Sequence, residues 1–539
     1  MPSCVRPEAA SVKRAEVGSA RAVLNCTVPL TTQPQLIAAL RSDLTAANFS
    51  VDAMTRMWGE DAAAALHRGQ RVPALRGLAG RQDPLATLAR VLVLGLPADR
   101  DQLAHAFATL GVDGAIEAGL VDAAGTPLVD LRPYSFVDAH GVGGWWIASD
   151  LGELSTGAPL RVDHVLGVGG ASTTLSGLML GRPVATALDL GTGCGIQALH
   201  AARHAERVVA TDISQRALDF AAFNAELNEV RSIEFRLGSL FDPVEGERFD
   251  HIVSNPPFVI TPRTDGVPEY EYRDGGMVGD ALVASVIAGL ADHLQPGGVA
   301  QLLGNWEYRA AAGWSASGRA ASGEDSGDGL QRVGRWIDDS GLGGWVIERE
   351  VQDAKAYAET WIRDGGTRPG PDFDRLYGAW LDDFEARGVT AVGFGYLTMR
   401  SDPRPLRRLE RLDGPVGAGL GPHLAGALAA HDWLAGLDDE QLGREHLEVA
   451  PDVTEERHYW PGAEDPTVMS LRQGGGFGRT VALDTGLAAL VGACDGELSV
   501  RAIIGAIAQL LEVDELALRA ELLPRIRDLV FAGMLTSKS

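Results

Sequence analysis

The stretch ALDLGTGCGIQALHAA, residues 187–202, decides the fold. It begins as an apolar strand with a carboxylate, Asp189, near its end, and it continues as a helix-forming segment. Between the two lie Gly191, Gly193 and Gly195, which let the backbone turn sharply and approach a ligand without Cβ clashes. The helix N-terminus that follows supplies unpaired N–H groups and the positive end of a dipole. The pattern predicts a strand–turn–helix unit that binds a ligand.

The surrounding sequence, from about residue 155 to 401, alternates strand and helix patterns. This alternation predicts an α/β domain whose parallel sheet is covered on both faces. The segment GWSASGRAASGEDSGDG, residues 313–329, interrupts the alternation as a flexible, low-complexity loop. The candidate strands are VATALDLG, RVVATDIS, IEFRLGS, FDHIVSNP, GVAQLLGNW, GWVIEREV and VTAVGFGYLTMR.

A second carboxylate, Asp212, ends the strand RVVATDIS and follows Gly195 by seventeen residues. A carboxylate at the tip of the second strand can accept hydrogen bonds from both ribose hydroxyls of a nucleoside. It could instead cap the next helix, SQRALDFAAFNAEL. Its position after a glycine loop favours the ligand.

The G-T-G-C-G spacing, with an acid two positions before the first glycine, resembles the first motif of class I methyltransferases that use S-adenosyl-L-methionine. The resemblance implies a Rossmann-like, seven-stranded sheet. It also implies that Asp189 faces the amino-acid portion of the cofactor, through its ammonium or an ordered water. The cofactor-binding residues that it implies are Asp189, Gly191, Thr192, Gly193, Gly195, Asp212, Ile213, Ser239, Leu240 and Asn255. Of these, Ser239 departs from the family, many of whose members carry an acid there.

The segment IVSNPPF, at the end of the fourth strand, resembles the (D/N)PP(Y/F) motif of amino-methyltransferases. A planar –NH2 group has a delocalised lone pair, so it is a poor nucleophile. The side-chain oxygen of Asn255 and the carbonyl of Pro256 can each accept one of its hydrogens. Pro256 and Pro257 hold these acceptors rigid, and Phe258 offers a face for stacking. These four residues are the predicted catalytic group. They are expected to accelerate methyl transfer by positioning the –NH2 group.

Two flanking segments extend the resemblance. Upstream, the family often packs a helix N-terminus over the methionine end of the cofactor. The candidates there are Gly169, Gly170, Ser172 and Thr173, although an ordinary helix cap explains them equally well.

Downstream, YEYRDGGMVGD resembles the segment that follows the NPP motif in release-factor glutamine methyltransferases. In that family a Gly-Gly pair and a following helix shape the substrate entrance. Tyr270, Tyr272 and Arg273 could bind the substrate, or could merely cover the loop.

The terminal regions lie outside the resemblance. Residues 1–32 are expected to form a disordered leader. Residues 33–154 have helical periodicity and end in a hairpin pattern, which suggests a winged-helix-like domain. Such domains often bind nucleic acid, but a packing or partner-docking role is equally consistent. Residues 402–539 are expected to form a mainly helical accessory domain, with RQGGGFGR (472–479) as a flexible turn. We expect both regions to select the substrate and to contribute little to cofactor binding.

The net charge of −25 opposes non-specific attraction to phosphate backbones. The four cysteines lie far apart without metal-ligand spacing, so neither disulfides nor a metal site are expected. No apolar run is long enough to span a membrane, and a reducing cytoplasm, in a bacterium with a GC-rich coding bias, fits this composition.

Three functions remain open at this point. The first is methylation of a glutamine side chain in a protein partner, such as a translation factor, and the acidic chain favours it. The second is methylation of adenine-N6 or guanine-N2 in RNA or DNA, as in the small-domain RNA base methyltransferases. The third is cofactor binding without catalysis, which the intact Asp189, Asp212 and Asn255 argue against.

Overall fold

The computed structural model describes residues 30–157, 160–310, 327–402, 405–414 and 419–538. Nearly all of the expected leader (1–32) and most of the expected loop (313–329) therefore lie outside the described residues. No helix in the described ranges is long and apolar enough to cross a membrane.

A run of helices comes first, and helices and strands then alternate over the central part of the chain. A π-helical turn (Ala89–Val93) continues the helix Pro84–Leu88, and a 3-10 turn (Asp242–Val244) follows the strand Ile233–Leu237. The helices are α1 (Pro34–Ala46), α2 (Val51–Trp58), α3 (Glu60–His67), α4 (Val72–Gly77), α5 (Pro84–Leu88), α6 (Arg100–Ala106), α7 (Gly111–Glu117), α8 (Glu153–Thr156), α9 (Gly170–Leu178), α10 (Ile196–Ala201), α11 (Gln215–Leu227), α12 (Glu271–Asp274), α13 (Ala281–His293), α14 (Gly329–Ser340), α15 (Ala354–Asp364), α16 (Pro371–Ala386), α17 (Gly421–Ala435), α18 (Asp439–Leu442), α19 (Thr485–Gly492), α20 (Val500–Leu511) and α21 (Glu515–Phe531). The strands are β1 (Asp130–Asp138), β2 (Gly141–Ser149), β3 (Val184–Leu190), β4 (Ala205–Asp212), β5 (Ile233–Leu237), β6 (Phe249–Ser254), β7 (Leu294–Arg309), β8 (Gly343–Asp353), β9 (Val389–Arg400), β10 (Arg407–Arg411), β11 (His446–Val449), β12 (Val453–His458), β13 (Val468–Gln473), β14 (Thr480–Leu483), β15 (Asp495–Ser499) and β16 (Leu535–Ser537).

The central sheet has eight strands in the order β10-β8-β9-β7-β6-β3-β4-β5. The five strands from β7 to β5 run parallel, and β9 lies antiparallel between β7 and β8. The predicted α/β, mostly parallel architecture is confirmed. The sheet has one strand more than expected, because β10 pairs with β8 beyond residue 401, where the domain was expected to end. Its sequence, RRLER, is charged and carries no alternating apolar signal, so only its pairing identifies it.

The ends of three parallel strands meet at one edge of this sheet. In the register, Asp189 on β3 is level with Ala210 on β4 and with Val253 on β6. Asp212 and Asn255, which follow two residues further along their strands, therefore lie beside the glycine turn that follows β3. The edge where parallel strands end is where open α/β sheets bind ligands.

The N-terminal region is helical, as predicted, and its hairpin packs on the sheet domain. The aromatic rings of β1 and β2 surround His200 of α10, and the Phe136 and His200 ring centroids are 4.6 Å apart. The hydroxyl of Tyr134 lies 3.1 Å from Nε2 of His200. The aromatic face of the hairpin is therefore used for packing, which fits the packing alternative for this region.

Helix α11 joins the N-terminal region to the sheet domain. The amide of Asn224 donates to the carbonyls of Ala148 (2.9 Å) and Cys194 (2.8 Å), and its oxygen accepts from the Ala148 amide (2.7 Å). Phe223 and Leu227, on the same helix, belong to one buried apolar cluster with the N-terminal helices. The two regions share a core, so a fragment limited to residues 155–400 would expose that core to water.

We expect Asn224→Ala to lower the free energy of unfolding by about 3 kcal/mol, because it leaves buried backbone groups of Ala148 and Cys194 unpaired. Chemical denaturation measures this loss. Asn228→Ala is the matched control, since Asn228 makes similar bonds to Trp146 at a half-buried position and should cost less. A loss in Asn224→Ala no larger than in the control would contradict the role of this side chain.

The C-terminal region contains more strand than the sequence predicted. Besides α17–α21 it forms two three-stranded sheets, β15-β11-β16 and β12-β13-β14. Strand β12, VTEERH, is polar and mostly exposed, so it lacks the apolar alternation that signals a strand. The glycine-rich segment 472–479 does form a turn between β13 and β14, but it is anchored, because Phe477 is buried against Trp345.

Candidate functional site

The turn after β3 is an open glycine cradle. Gly191, Gly193 and Gly195 have φ angles of 77°, 55° and 86°, in the left-handed region that favours glycine. A Cβ on Gly191 or Gly193 would meet no atom within 4 Å, so these two glycines border free space. A Cβ on Gly195 would lie 2.9 Å from Cβ of Ala221, so Gly195 allows close packing on α11. The cradle thus has an open side for a ligand and a packed side against the domain.

Asp189 is fully buried at the base of this cradle. Its Oδ2 accepts a hydrogen bond from the Thr192 hydroxyl at 2.6 Å, whereas Oδ1 is buried with no partner among the described residues. Burial raises the pKa of the Asp189 carboxyl to about 7. A buried acceptor without a donor is costly, and it fits a ligand that brings a positively charged donor.

Asp212, at the end of β4, is tied to the cradle by both carboxylate oxygens. Oδ2 accepts from the Gly193 amide and Oδ1 from the Ser214 amide, each at 2.9 Å. Burial raises the pKa of Asp212. The contact with Gly193 joins Asp212 to the ligand loop, and each oxygen keeps a lone pair for a ribose hydroxyl. The neighbouring Ile213 is 67% exposed and offers an apolar surface beside that position.

The turn after β5 brings Ser239 and Leu240, two of the predicted cofactor-binding residues, to the same edge. The Gly238 amide donates to the Asp212 carbonyl at 2.9 Å, which places Ser239 and Leu240 next to Asp212. Leu240 has a φ of 46°, unusual for a residue with a side chain. Ser239 is exposed.

Asn255 carries the second buried acceptor of the site. Its Oδ1 is buried and has no hydrogen-bond partner within the described ranges. The preceding Ser254 donates its hydroxyl to the Leu190 carbonyl at 2.7 Å, which joins the end of β6 to the end of β3. Asn255 therefore directly follows the strand that pairs with the strand of Asp189, at the edge that holds the cradle.

The rest of the NPPF loop is held from two sides. The Val259 amide donates to the Arg273 carbonyl, and the Ile260 amide donates to the Tyr357 hydroxyl, both at 3.0 Å. Phe258 is half-buried, with its ring centroid 5.7 Å from that of Phe394. Such a loop presents its acceptors in one fixed geometry.

The first glycine of the Gly-Gly pair that follows, Gly275, has a steric reason. Gly275 has a φ of 60°, and a Cβ there would lie 2.7 Å from the carbonyl oxygen of Pro257. A side chain at this position would push the loop away. The glycine is therefore needed for the close approach of this segment to the NPPF loop.

Two of the three predicted substrate residues are buried in the segment after the loop. Arg273 is 6% exposed, and its guanidinium lies 4.7 Å from the centre of the Tyr270 ring and donates to Asp274 at 2.8 Å. These contacts fit the alternative that Tyr270 and Arg273 cover the loop. The side chain of Tyr272 lies outside the described residues.

Sequence reasoning missed Asp274, which organises this segment. It is 3% exposed and accepts from the Thr261 hydroxyl, the Tyr270 amide and Arg273. An acid directly before a glycine pair was the available signal. Upstream, α9 begins after Gly169, and the Ser172 carbonyl on its first turn accepts from Gln197, a residue that was also missed. No cluster of three or more possible metal ligands is found in the part of the chain that the structure describes.

Three family models match the chain, each over one segment. Residues 170–310 match the methyltransferase small domain, and this segment contains the glycine cradle, Asp212, Asn255 and the NPPF loop. Residues 46–132 and 425–537 match two domains of unknown function, DUF7059 and DUF7782.

Relatives of known description match part of the chain. A release factor glutamine methyltransferase from Xylella fastidiosa is 42% identical over 132 residues, which are 23% of this chain and 48% of the relative. A ribosomal protein uL3 glutamine methyltransferase from Bradyrhizobium diazoefficiens is 34% identical over 135 residues, 23% of this chain and 42% of the relative. The chain thus spans about half the length of the curated relatives it matches. The predicted resemblance to this group of methyltransferases is confirmed.

Among solved structures, a ribosomal protein L11 methylase from Lactobacillus delbrueckii subsp. bulgaricus aligns with a TM-score of 0.24 and 20% identity. The alignment covers 43% of this chain and 80% of that protein.

Proposed function

We propose that this chain is an S-adenosyl-L-methionine-dependent N-methyltransferase that methylates the side-chain amide of a protein glutamine. The observation that carries the proposal is the buried Oδ1 of Asn255 beside the glycine cradle, which has no hydrogen-bond partner among the residues that the structure describes. An orphan acceptor at this place suits an –NH2 group that enters with a hydrogen to donate. The glutamine methyltransferases that match part of this chain support the amide as the acceptor group.

The residues present fit this cofactor. The open side of Gly191 and Gly193 leaves room for it, and the orphan Oδ1 of Asp189 can accept from its ammonium. Asp212 can accept from its ribose hydroxyls. When bound, S-adenosyl-L-methionine supplies an electrophilic methyl group on a sulfonium.

The NPPF loop then does the chemical work by positioning. Asn255 accepts a hydrogen bond from one hydrogen of the amide –NH2, and the Pro256 carbonyl accepts one from the other. The nitrogen lone pair is then less delocalised into the amide carbonyl and points toward the methyl group. Phe258 stacks on the planar amide. The bonds from Val259 and Ile260 keep the loop still, so little reorganisation is needed during the reaction.

Three observations favour a protein over a nucleic acid as the substrate. The chain carries a net charge of −25, which repels phosphate backbones. The aromatic side chains around His200 in the N-terminal hairpin are engaged in packing. The two relatives described above are named for glutamine methylation of a release factor and a ribosomal protein. We therefore infer a cytoplasmic protein substrate, of the translation-factor class.

The test is methyl transfer from labelled cofactor by the full chain to release factors, ribosomal proteins and total RNA. We expect label in protein, recovered as N5-methylglutamine after digestion. Asn255→Ala is the control, because label that this variant still incorporates is not transferred by this site. Label in RNA or DNA bases, and none in protein, would replace this proposal with base methylation.

The affinity for the cofactor should depend on pH through Asp189. Its pKa is raised to about 7, so below this pH the carboxyl is mostly protonated and cannot pair with an ammonium. Binding must then expel a proton, so affinity should fall by roughly tenfold per pH unit below that value and level off above it. Calorimetry between about pH 5.5 and 7.5 measures this, below the range where an α-amine loses its proton. Asp189→Asn should give a flat profile, and a native profile equally flat would contradict the assignment.

A further inference from the structure

Gln197 is a buried amide on the helix that follows the glycine cradle. It is the second residue of α10 and is 3% exposed. Its Nε2 donates to the Ser172 carbonyl, on the first turn of α9, at 2.8 Å. Its Oε1 is buried and has no hydrogen-bond partner among the residues that the structure describes. The side chain thus links the helix after the cradle to the helix predicted to cover the methionine end of the cofactor.

The orientation of this amide follows from its partner. A backbone carbonyl only accepts hydrogen bonds, so the nitrogen of Gln197 must face Ser172 and the oxygen must face away. The orphan atom is therefore an acceptor. A buried acceptor without a donor destabilises a protein, and an apolar side chain of the same length would bridge the two helices without that cost.

The proposed cofactor carries a group that can donate a hydrogen bond to Oε1 of Gln197. The amino-acid portion of the proposed cofactor carries an ammonium, which donates, and a carboxylate, which only accepts. Asp189, on the strand that leads into the same turn, holds the other orphan acceptor of this strand–turn–helix unit. An ammonium has three N–H bonds and can satisfy both oxygens.

We propose that Gln197 is a further cofactor-binding residue, whose Oε1 accepts a hydrogen bond from the cofactor ammonium while its Nε2 holds α9 in place. This rests on the proposed function, since it assigns a residue to the same cofactor. It predicts that Gln197 acts on ligands that carry the ammonium and not on ligands that lack it.

The experiment measures ligand affinity by calorimetry at a pH of about 7.5, where Asp189 is mostly ionised. The variant is Gln197→Met, which keeps the length of the side chain and removes the amide. The ligands are S-adenosyl-L-methionine, its decarboxylated form, which retains the amine, and 5′-methylthioadenosine, which lacks the whole amino-acid portion. We expect the first two to bind roughly ten- to a hundredfold more weakly than to the native protein, with the third unchanged.

Gln473→Met is the matched control. Gln473 is also 3% exposed, and its Nε2 also donates to a backbone carbonyl (Ala532, 2.9 Å). Its Oε1 also has no partner within the described part of the chain. It lies on β13 in the C-terminal region, so the same chemical change should leave all three affinities unchanged. An equal loss in both variants would reduce the effect to general destabilisation and overturn the proposal.

Other outcomes are equally decisive. Native affinity of Gln197→Met for S-adenosyl-L-methionine overturns the proposal, and so does a loss shared by 5′-methylthioadenosine, which would indicate a damaged cradle.

If Gln197→Met does not fold, Gln197→Glu, which keeps an acceptor, is measured instead. Its preference for S-adenosyl-L-methionine over 5′-methylthioadenosine should equal or exceed the native preference, and a lower preference overturns the proposal. Failure of the native chain to bind S-adenosyl-L-methionine would instead reject the proposed function itself.

Discussion

Asn255→Ala is expected to slow methyl transfer by roughly a hundredfold or more, while the affinity for the cofactor changes little. The substitution removes the buried orphan acceptor and leaves the Pro256 carbonyl alone to orient the –NH2 group. Because the bonds of Val259 and Ile260 hold the loop from outside, the backbone should keep its place. Single-turnover methyl transfer, with cofactor binding measured in parallel, separates the chemical step from binding.

Companion variants sharpen this prediction. Asn255→Asp keeps an acceptor but adds a charge near the sulfonium, so partial activity is expected. Phe258→Tyr keeps the stacking face and should be mild, whereas Phe258→Ala should raise the substrate concentration required. Asn228→Ala, at the N-terminal interface, controls for the loss of an amide elsewhere and should transfer methyl at the native rate. If Asn255→Ala also reaches that rate, the NPPF segment is only a turn and the amino-methylation proposal fails.

Asp212→Ala is expected to weaken cofactor binding by roughly ten- to a hundredfold, for two reasons. It removes the acceptors for the ribose hydroxyls, and it releases the amides of Gly193 and Ser214 that shape the cradle. Calorimetric titration with S-adenosyl-L-methionine measures the loss.

Asp250→Ala is the matched control for this variant. Asp250 also accepts two hydrogen bonds, both from Thr186, but it lies near the start of β6, at the opposite end of the sheet. Cofactor affinity should survive its loss. Native affinity in Asp212→Ala, or tight binding of NAD to the native protein, would reject Asp212 as the ribose-binding residue.

The sequence alone determined the α/β fold and the composition of its ligand edge. The reason is physical: a strand, a glycine turn and a helix N-terminus are made by contiguous residues, so residues 187–202 contain the whole cradle. In parallel strands every carboxyl end lies at the same edge, so Asp212 and Asn255 could be placed there from strand order alone.

Contacts between residues that are far apart in the sequence were decided by the tertiary structure alone. β10 is recognised only by its pairing with β8. The role of Asn224 in joining the N-terminal region to the sheet is visible only in its contact with Ala148, which is distant in the sequence. Nothing in the local pattern showed that Arg273 is buried, or that Gln197 and Asn255 each hold an oxygen with no hydrogen-bond partner among the described residues. Satisfaction of a buried polar atom depends on every element packed around it, and these elements come from distant parts of the chain.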